Sequence, residues 1–285
     1  MSSHKKINEK SYLYKAFQNS EFKSTKHTNY FYIYDDLLKK YLDKRITFVE
    51  VGVASGGSLF MWKKFFGNNA KIIGVDFNPG AKKWEKYDFE IHIGNQSDKN
   101  FWKNFYEKVG KVDVLIDDGG HTNEQQLSTF INSYMNINND GLLIFEDTHA
   151  SYMPEFGNPS QYSFINFCKN FVDMQNQKST PKKFDYNYLK KIHKIDFFQS
   201  IVAFHFDDKK AEKNDSIINN GKIVSSEDYR SKDVYLLSKI DKFKNILRNF
   251  CGSSLYNSIK KIYPLVKYFI YKIKNIKNKK FFKKN

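Results

Sequence analysis

Two short acidic clusters carry residue types that could do chemistry together. One is Asp117-Asp118-Gly119-Gly120-His121, which closes the apolar run 112–116; the other is Glu146-Asp147, which closes the run 141–145. If both runs are strands of one open sheet, four carboxylates and an imidazole meet in the crevice outside the strands' carboxyl ends, where ligands of such sheets bind. Crowded like charges raise one another's pKa values, and a cation among them relieves the crowding. Hard oxygen donors with no thiolate suit Mg²⁺, Mn²⁺ or Ca²⁺ better than zinc. Asp118, Glu146 and Asp147 are therefore read as metal ligands, and Asp117 as turned back toward a cofactor. His121, at the expected start of a helix whose dipole disfavours an imidazolium, is read as a neutral base taking a proton from a hydroxyl. The competing reading is a capping or core histidine. His149, just past the second cluster, is a weaker second candidate with a place in the wall of the site.

A glycine turn, residues 50–58 (EVGVASGGS), follows an apolar run and opens a helical one. Such turns let a ligand approach backbone N–H groups. The turn departs from the dinucleotide pattern G-x-G-x-x-G, because Ala54 takes the middle position and the acidic Glu50 would repel phosphates while suiting an ammonium. S-adenosylmethionine fits this better than NAD, with Glu50, Gly52, Ser55, Gly56 and Ser58 around it. Asp76 ends the next apolar run, where a carboxylate accepts from both ribose hydroxyls; a helix cap is its alternative. Asn95 and Gln96 end a third run and could face an adenine edge, or simply form a turn.

The elements that must position these residues are legible as alternating short β-rich and helical runs from Ile46 onward. Nearly continuous apolar strands separated by helices imply a parallel sheet covered on both faces. The runs 190–198 and 200–206 lie too close for a helical crossover, so the sheet should end in an antiparallel pair. The expected fold is a Rossmann-like α/β sheet, mostly parallel with one antiparallel strand. The expected organisation is a helical N-terminal cap (1–44), a cofactor-binding domain (45–206), a polar connector (207–232) and a basic amphipathic tail (233–285).

The net charge of +16 invites a nucleic-acid reading, but ten lysines and no acid lie in 253–285, so most of the excess belongs to the tail. No RNA- or DNA-binding signature accompanies it, which makes nucleic acid an unfavoured partner. No apolar stretch reaches 18 residues and the first ten lack the apolar core of a secretory signal, so the body is expected in the cytoplasm. Cys168 and Cys251 are far apart and read as bystanders. In the tail, lysines interleave with aromatic and branched apolar residues, which suits docking on the inner face of a membrane, with a polyanion or a partner helix as alternatives. A homo-oligomer is left open.

The segments GGSLFMWKKFFG, IDDGGHTNEQQLSTF and GLLIFEDTHASY together resemble the class I S-adenosylmethionine-dependent methyltransferases, and within them the metal-dependent sugar O-methyltransferases of macrolide tailoring, of mycinamicin and rhamnosyl type. The resemblance runs from about His27 to Phe206. It implies that Asp118, Glu146 and Asp147 hold Mg²⁺, that His121 deprotonates a sugar hydroxyl, and that the methyl group moves by in-line displacement. The acceptor belongs on this reading to surface glycan or secondary-metabolite synthesis; another small acceptor (amide or phosphoryl-linked), or RNA, is the alternative. Tyr30, with Tyr32 and Tyr34, and Tyr152 are candidates to line the acceptor pocket or are ordinary packing residues.

Overall fold

The computed structural model describes residues 9–177, 187–212, 214–222, 239, 242, 253–276 and 278–279. The chain forms two compact units, 1–216 and 217–285. The expected connector spans that division, and Cys251, the tail before Ser253 apart from residues 239 and 242, and residues 280–285 lie outside the described residues.

The first unit is built on seven strands: β1 Thr47–Val51, β2 Lys71–Asp76, β3 Glu90–Ile93, β4 Val112–Asp117, β5 Ile137–Phe145, β6 Ile192–Phe198 and β7 Ile201–Phe206. They pair in the order β3-β2-β1-β4-β5-β7-β6. All neighbours run parallel except at β7, which is antiparallel to both β5 and β6. Only two residues separate β6 from β7, so the chain reverses directly, as a connection too short for a crossover must.

The helices are α1 Tyr12–Gln18, α2 Tyr30–Leu38, α3 Gly57–Phe66, α4 Lys99–Val109, α5 Asn123–Ser133 and α6 Phe164–Gln177, with α7 Ser253–Ile276 in the second unit. Because successive strand residues point to opposite faces, the sheet carries two cores. Phe48, Val114, Ile116, Leu142 and Ile144 meet α1–α3 on one face. Val49, Val51, Leu115, Leu143 and Phe145 meet α4–α6 on the other. The N-terminal helices are thus part of one face's core, with Tyr34 set edge-on to Trp62 at a centroid distance of 5.2 Å.

This alternation decides where the acidic strand ends point. Glu50, Asp118 and Glu146 continue the even-numbered face of Phe48, Ile116 and Ile144, under the N-terminal helices. Asp117 continues the face of Leu115, toward α5. β1, β4 and β5 are neighbours in the sheet, and the ladder extends past them, Asp118 N donating to Val51 O (2.9 Å) and Glu146 N to Asp117 O (2.9 Å).

Candidate active site

The glycine turn between β1 and α3 is shaped by close backbone approaches. Gly52 has φ +93°, and a Cβ there would lie 2.1 Å from the Asp118 carbonyl oxygen, so only glycine lets β4 end beside the turn. At Gly57 a Cβ would lie 2.0 Å from the Lys23 carbonyl oxygen. The segment leading into α2 therefore crosses the turn as a strap. It is fastened by Ser20 Oγ donating to Gly57 O (3.1 Å) and Ser55 Oγ to Lys23 O (3.3 Å). Phe22 packs on Phe60 and Trp84, at centroid distances of 4.6 and 4.9 Å.

Beside the turn opens a cleft of about 400 Å³ lined by Gly52, Asp76, Asn95, Gln96, Asp118 and Gly119, among others. Asp76 Oδ2 accepts from Val53 N and Ala54 N (both 2.8 Å), and its Oδ1 accepts from Asn78 N (2.7 Å), so the carboxylate is held at the cleft edge by the turn itself. Asn95 Oδ1 accepts from Ser97 N (2.9 Å), the turn-forming role. Gln96 donates to both Asp117 oxygens (3.1 and 3.0 Å) and accepts from Gly120 N (3.0 Å), joining the third and fourth strand ends.

Three residues expected at the cofactor do not reach it. Glu50 is buried beneath the turn, accepting from Ser58 Oγ (2.7 Å) and Trp62 Nε1 (2.9 Å), because its parity aims it at α3. Ser58 is spent on that bond. Burial pushes Glu50 up to about 7, against the pull of the nearby Lys26 ammonium. Asp117 is likewise sealed on the opposite face, and burial raises it to about 6 against the hydrogen bonds from Thr129, Gly119 and Gln96. Ser55 and Gly56 belong to the turn, but Ser55 is engaged by the strap and a Cβ on Gly56 would meet the Trp84 ring at 2.2 Å.

The acid crevice already contains a cation. Lys26, from the strap, places Nζ 2.5 Å from Asp118 Oδ2 and 2.7 and 2.8 Å from the two Glu146 oxygens, with its side chain 1% exposed. Burial opposes its charge, but Glu146, Asp118 and Glu50 together hold its pKa well above the ordinary lysine value. Burial pushes Glu146 upward and the Lys26 ammonium opposes that push. Tyr34, fully buried, donates to Glu146 Oε1 (2.5 Å). Glu146, read from the sequence as a metal ligand, is enclosed here by an ammonium and a phenol.

Asp118 and Asp147 remain partly open, at 22% and 24% side-chain exposure, with His121 at 23% between them. His121 Nε2 lies 4.0 Å from Asp118 Oδ1 and 3.6 Å from Asp147 Oδ2. It precedes the helix, since the cap is Thr122, whose capping box with Gln125 satisfies the first turn of α5. His121 has φ +57° and a buried Nδ1 without a hydrogen-bond partner, leaving the ring in the crevice rather than at a cap. The other oxygen of Asp147 accepts from the Tyr30 hydroxyl. Tyr30 and Tyr34 therefore hold carboxylates instead of lining an acceptor pocket, and Tyr152 is a 56% exposed surface ring beside Lys169. Tyr32 lines a separate groove with Tyr12 and Asp35.

Two clusters have ligand atoms within 4.8 Å of one another, Asp118-His121-Asp147 and His27-Asp147-His149. The first fits a hard divalent ion: Asp118 and Asp147 are partly open carboxylates, each with an oxygen turned toward His121. Mg²⁺ is commonly held by one or two carboxylates while keeping several waters. His27 is a site residue the sequence reading missed, and its ring stands 5.7 Å from that of His149.

Residues 49–148 match a methyltransferase domain family. Among characterised proteins, the chain is 30% identical over 162 residues to 8-demethyl-8-alpha-L-rhamnosyl tetracenomycin-C 2'-O-methyltransferase of Streptomyces olivaceus, covering 53% of this chain and 42% of that one. It is 29% identical over 160 residues to mycinamicin VI 2''-O-methyltransferase of Micromonospora griseorubida, covering 52% and 40%. The chain thus spans less than half the length of these relatives. A solved methyltransferase of the mycinamycin biosynthetic pathway, in complex with Mg and SAH, superposes with a TM-score of 0.63 at 21% identity, covering 80% of this chain and 59% of that one. That likeness concerns the fold alone. The chain is thus similar to a methyltransferase domain over residues 49–148, carried on a Rossmann-like sheet whose fold resembles that of a solved methyltransferase.

Proposed function

We propose that the protein is an S-adenosylmethionine-dependent, Mg²⁺-assisted O-methyltransferase acting on a sugar hydroxyl of a small glycosylated acceptor. The observation that carries this reading is the continuity of one crevice. The cleft lined by Gly52, Asp76, Asn95 and Gln96 is also lined by Asp118, whose carboxylate stands beside His121 and Asp147. The named relatives methylate sugar hydroxyls, which directs the choice of acceptor.

S-adenosylmethionine supplies an electrophilic methyl group on a sulfonium. Asp76, at the edge of the cleft, would accept from its ribose hydroxyls, and the backbone of the glycine turn would approach it closely. Asp118 and Asp147 would hold Mg²⁺, which supplies Lewis-acid polarisation of an acceptor hydroxyl. His121 Nε2, beside both carboxylates, would take that hydroxyl's proton as the oxygen bonds the methyl carbon. The C–S bond of the bound cofactor would break with its electron pair left on sulfur, so that S-adenosylhomocysteine is the leaving group. Tyr30 fixes Asp147, and Tyr34 and Lys26 fix Glu146, so the crevice is preorganised by the N-terminal strap and α2.

In the second unit, α7 presents Ile262, Leu265, Phe269 and Ile273 at 56–67% exposure. At 100° per residue, Ile262, Val266, Phe269 and Ile273 form one stripe, with Lys261 and Lys272 on one flank and Lys267 and Lys274 on the other. No acid lies in 253–276. An apolar stripe flanked by lysines supports the reading that α7 lies in the interface of an anionic membrane. No described helix is long and apolar enough to cross one.

The functional reading is tested by incubating the purified chain with methyl-labelled S-adenosylmethionine, Mg²⁺ and a panel of rhamnosylated and other deoxysugar acceptors. Label transferred to a sugar oxygen supports it; cofactor binding with label transferred only to amide, phosphoryl or RNA acceptors would replace the acceptor class.

A further inference from the structure

The strap's lysine raises a question that the methyltransferase fold does not answer: why a crevice with open carboxylates suited to a divalent ion also encloses a protein ammonium. Glu50, Asp118 and Glu146 come from three neighbouring strands and, by parity, project to one face. The only lysine among the described residues that ion-pairs with any of them is Lys26. Its ammonium meets one oxygen of Asp118 and both of Glu146, at 2.5, 2.7 and 2.8 Å. Its backbone belongs to a segment fastened to the glycine turn at Gly57 and Ser55, so the charge is tethered where it lies.

We infer that Lys26 is a built-in counter-cation that competes with the divalent ion for the crevice, withdrawing Glu146 from the ligand set and limiting the ion to Asp118 and Asp147. Lys26 occupies both oxygens of Glu146 but only one of Asp118, so an ion meets a free oxygen on Asp118 while each oxygen of Glu146 already faces the ammonium. The oxygens left for the ion are Asp118 Oδ1 and Asp147 Oδ2, the pair that faces His121. Ligand charge sets the affinity of such sites, so the lysine tunes the site toward weak, exchangeable binding. It also couples the ion to the strap: a third carboxylate becomes available only when Lys26 withdraws.

The inference rests on the metal reading, and the test separates the two. Mn²⁺ is titrated into the full chain while free Mn²⁺ is read by electron paramagnetic resonance, without turnover. Four proteins are compared: wild type, Lys26→Met, Glu146→Gln and the double variant. Lys26→Met is expected to bind Mn²⁺ about tenfold more tightly, because Glu146 joins the ion. Glu146→Gln alone should leave affinity within about twofold of wild type, and the double variant should lose the gain, the non-additivity expected of residues acting on one another. A wild type that binds no Mn²⁺ beside a Lys26→Met that does would set the metal reading aside and still support the competition. A tenfold loss in Glu146→Gln would overturn the inference, since Glu146 would then be a ligand with Lys26 in place. Unchanged or weaker binding by a folded Lys26→Met would overturn it as well. If Lys26→Met does not fold, Glu146→Gln decides alone, and the double variant, which buries no unpaired charge, shows whether the neutral pair restores the fold.

Discussion

The amide of Gln96 donates to both oxygens of Asp117, at 3.1 and 3.0 Å, inside the sheet's α5 face. One side chain so fixes the loop after β3 to the end of β4, joining the wall of the cofactor cleft to the loop that presents Asp118 and His121. Gln96→Leu removes the donor and leaves a buried carboxylate short of a partner, which costs about 1–3 kcal/mol. The expected result is a lower Tm together with weaker cofactor binding; an unchanged Kd at lower Tm would separate the brace from the cleft.

The buried Glu50 sets a pH dependence of stability. Its pKa is raised from 4.5 to about 7 in the folded chain. For an acid raised on folding the native state holds the proton longer, so stability falls as pH rises from about 4.5 to about 7 and is level above. At 1.36 kcal/mol per pKa unit the fall is about 3 kcal/mol. Glu50→Gln keeps an acceptor for Trp62 Nε1 and removes the charge. Urea denaturation between pH 4 and 8 should therefore show a flatter profile for this variant and greater stability than wild type at pH 8.

How much of this was legible in the sequence follows from the separation of the partners. The strand ends Asp76, Asp117-Asp118 and Glu146-Asp147 could be placed because each closes its own apolar run, and strand order then brings them together. Glu50 reads as a partner for an ammonium and Asp117 as turned back toward the cofactor, although period-two parity with Phe48 and Leu115 already points them into the two cores. Lys26 carried no signal at all. It lies 92 residues before Asp118 and 120 before Glu146, one lysine among many, and only the course of the strap over Gly57 makes it internal. Tyr34 and Tyr30 read as aromatic wall because nothing local reveals that their hydroxyls end on carboxylates.

His121→Ala is expected to lower methyl transfer by about 10²–10⁴-fold, the range for loss of a positioned base. Cofactor binding should be largely retained, because His121 itself does not line the cofactor cleft. A comparable loss of cofactor affinity would assign the ring to binding instead.

At the glycine turn, Gly52→Ala combines a positive φ with a Cβ 2.1 Å from the Asp118 carbonyl oxygen. The cost is about 3 kcal/mol or more, since neither backbone can yield without moving β4. Thermal unfolding should show it, with cofactor affinity falling in step.

For α7, replacing Lys261, Lys267, Lys272 and Lys274 by Gln should release the chain from phosphatidylserine-containing vesicles, at about 1 kcal/mol per lysine. Sedimentation with neutral and anionic vesicles checks this. Equal binding to both would make the apolar stripe, and not the charge, the source of adhesion.

The most direct measurement is calorimetric titration of S-adenosylmethionine into the full chain, with and without Mg²⁺, for wild type, Asp76→Ala and Asp118→Ala. Cofactor binding is expected for wild type, lost in Asp76→Ala, and retained in Asp118→Ala with loss of a separate Mg²⁺ signal. A folded wild type that binds no S-adenosylmethionine would contradict the methyltransferase reading at its root.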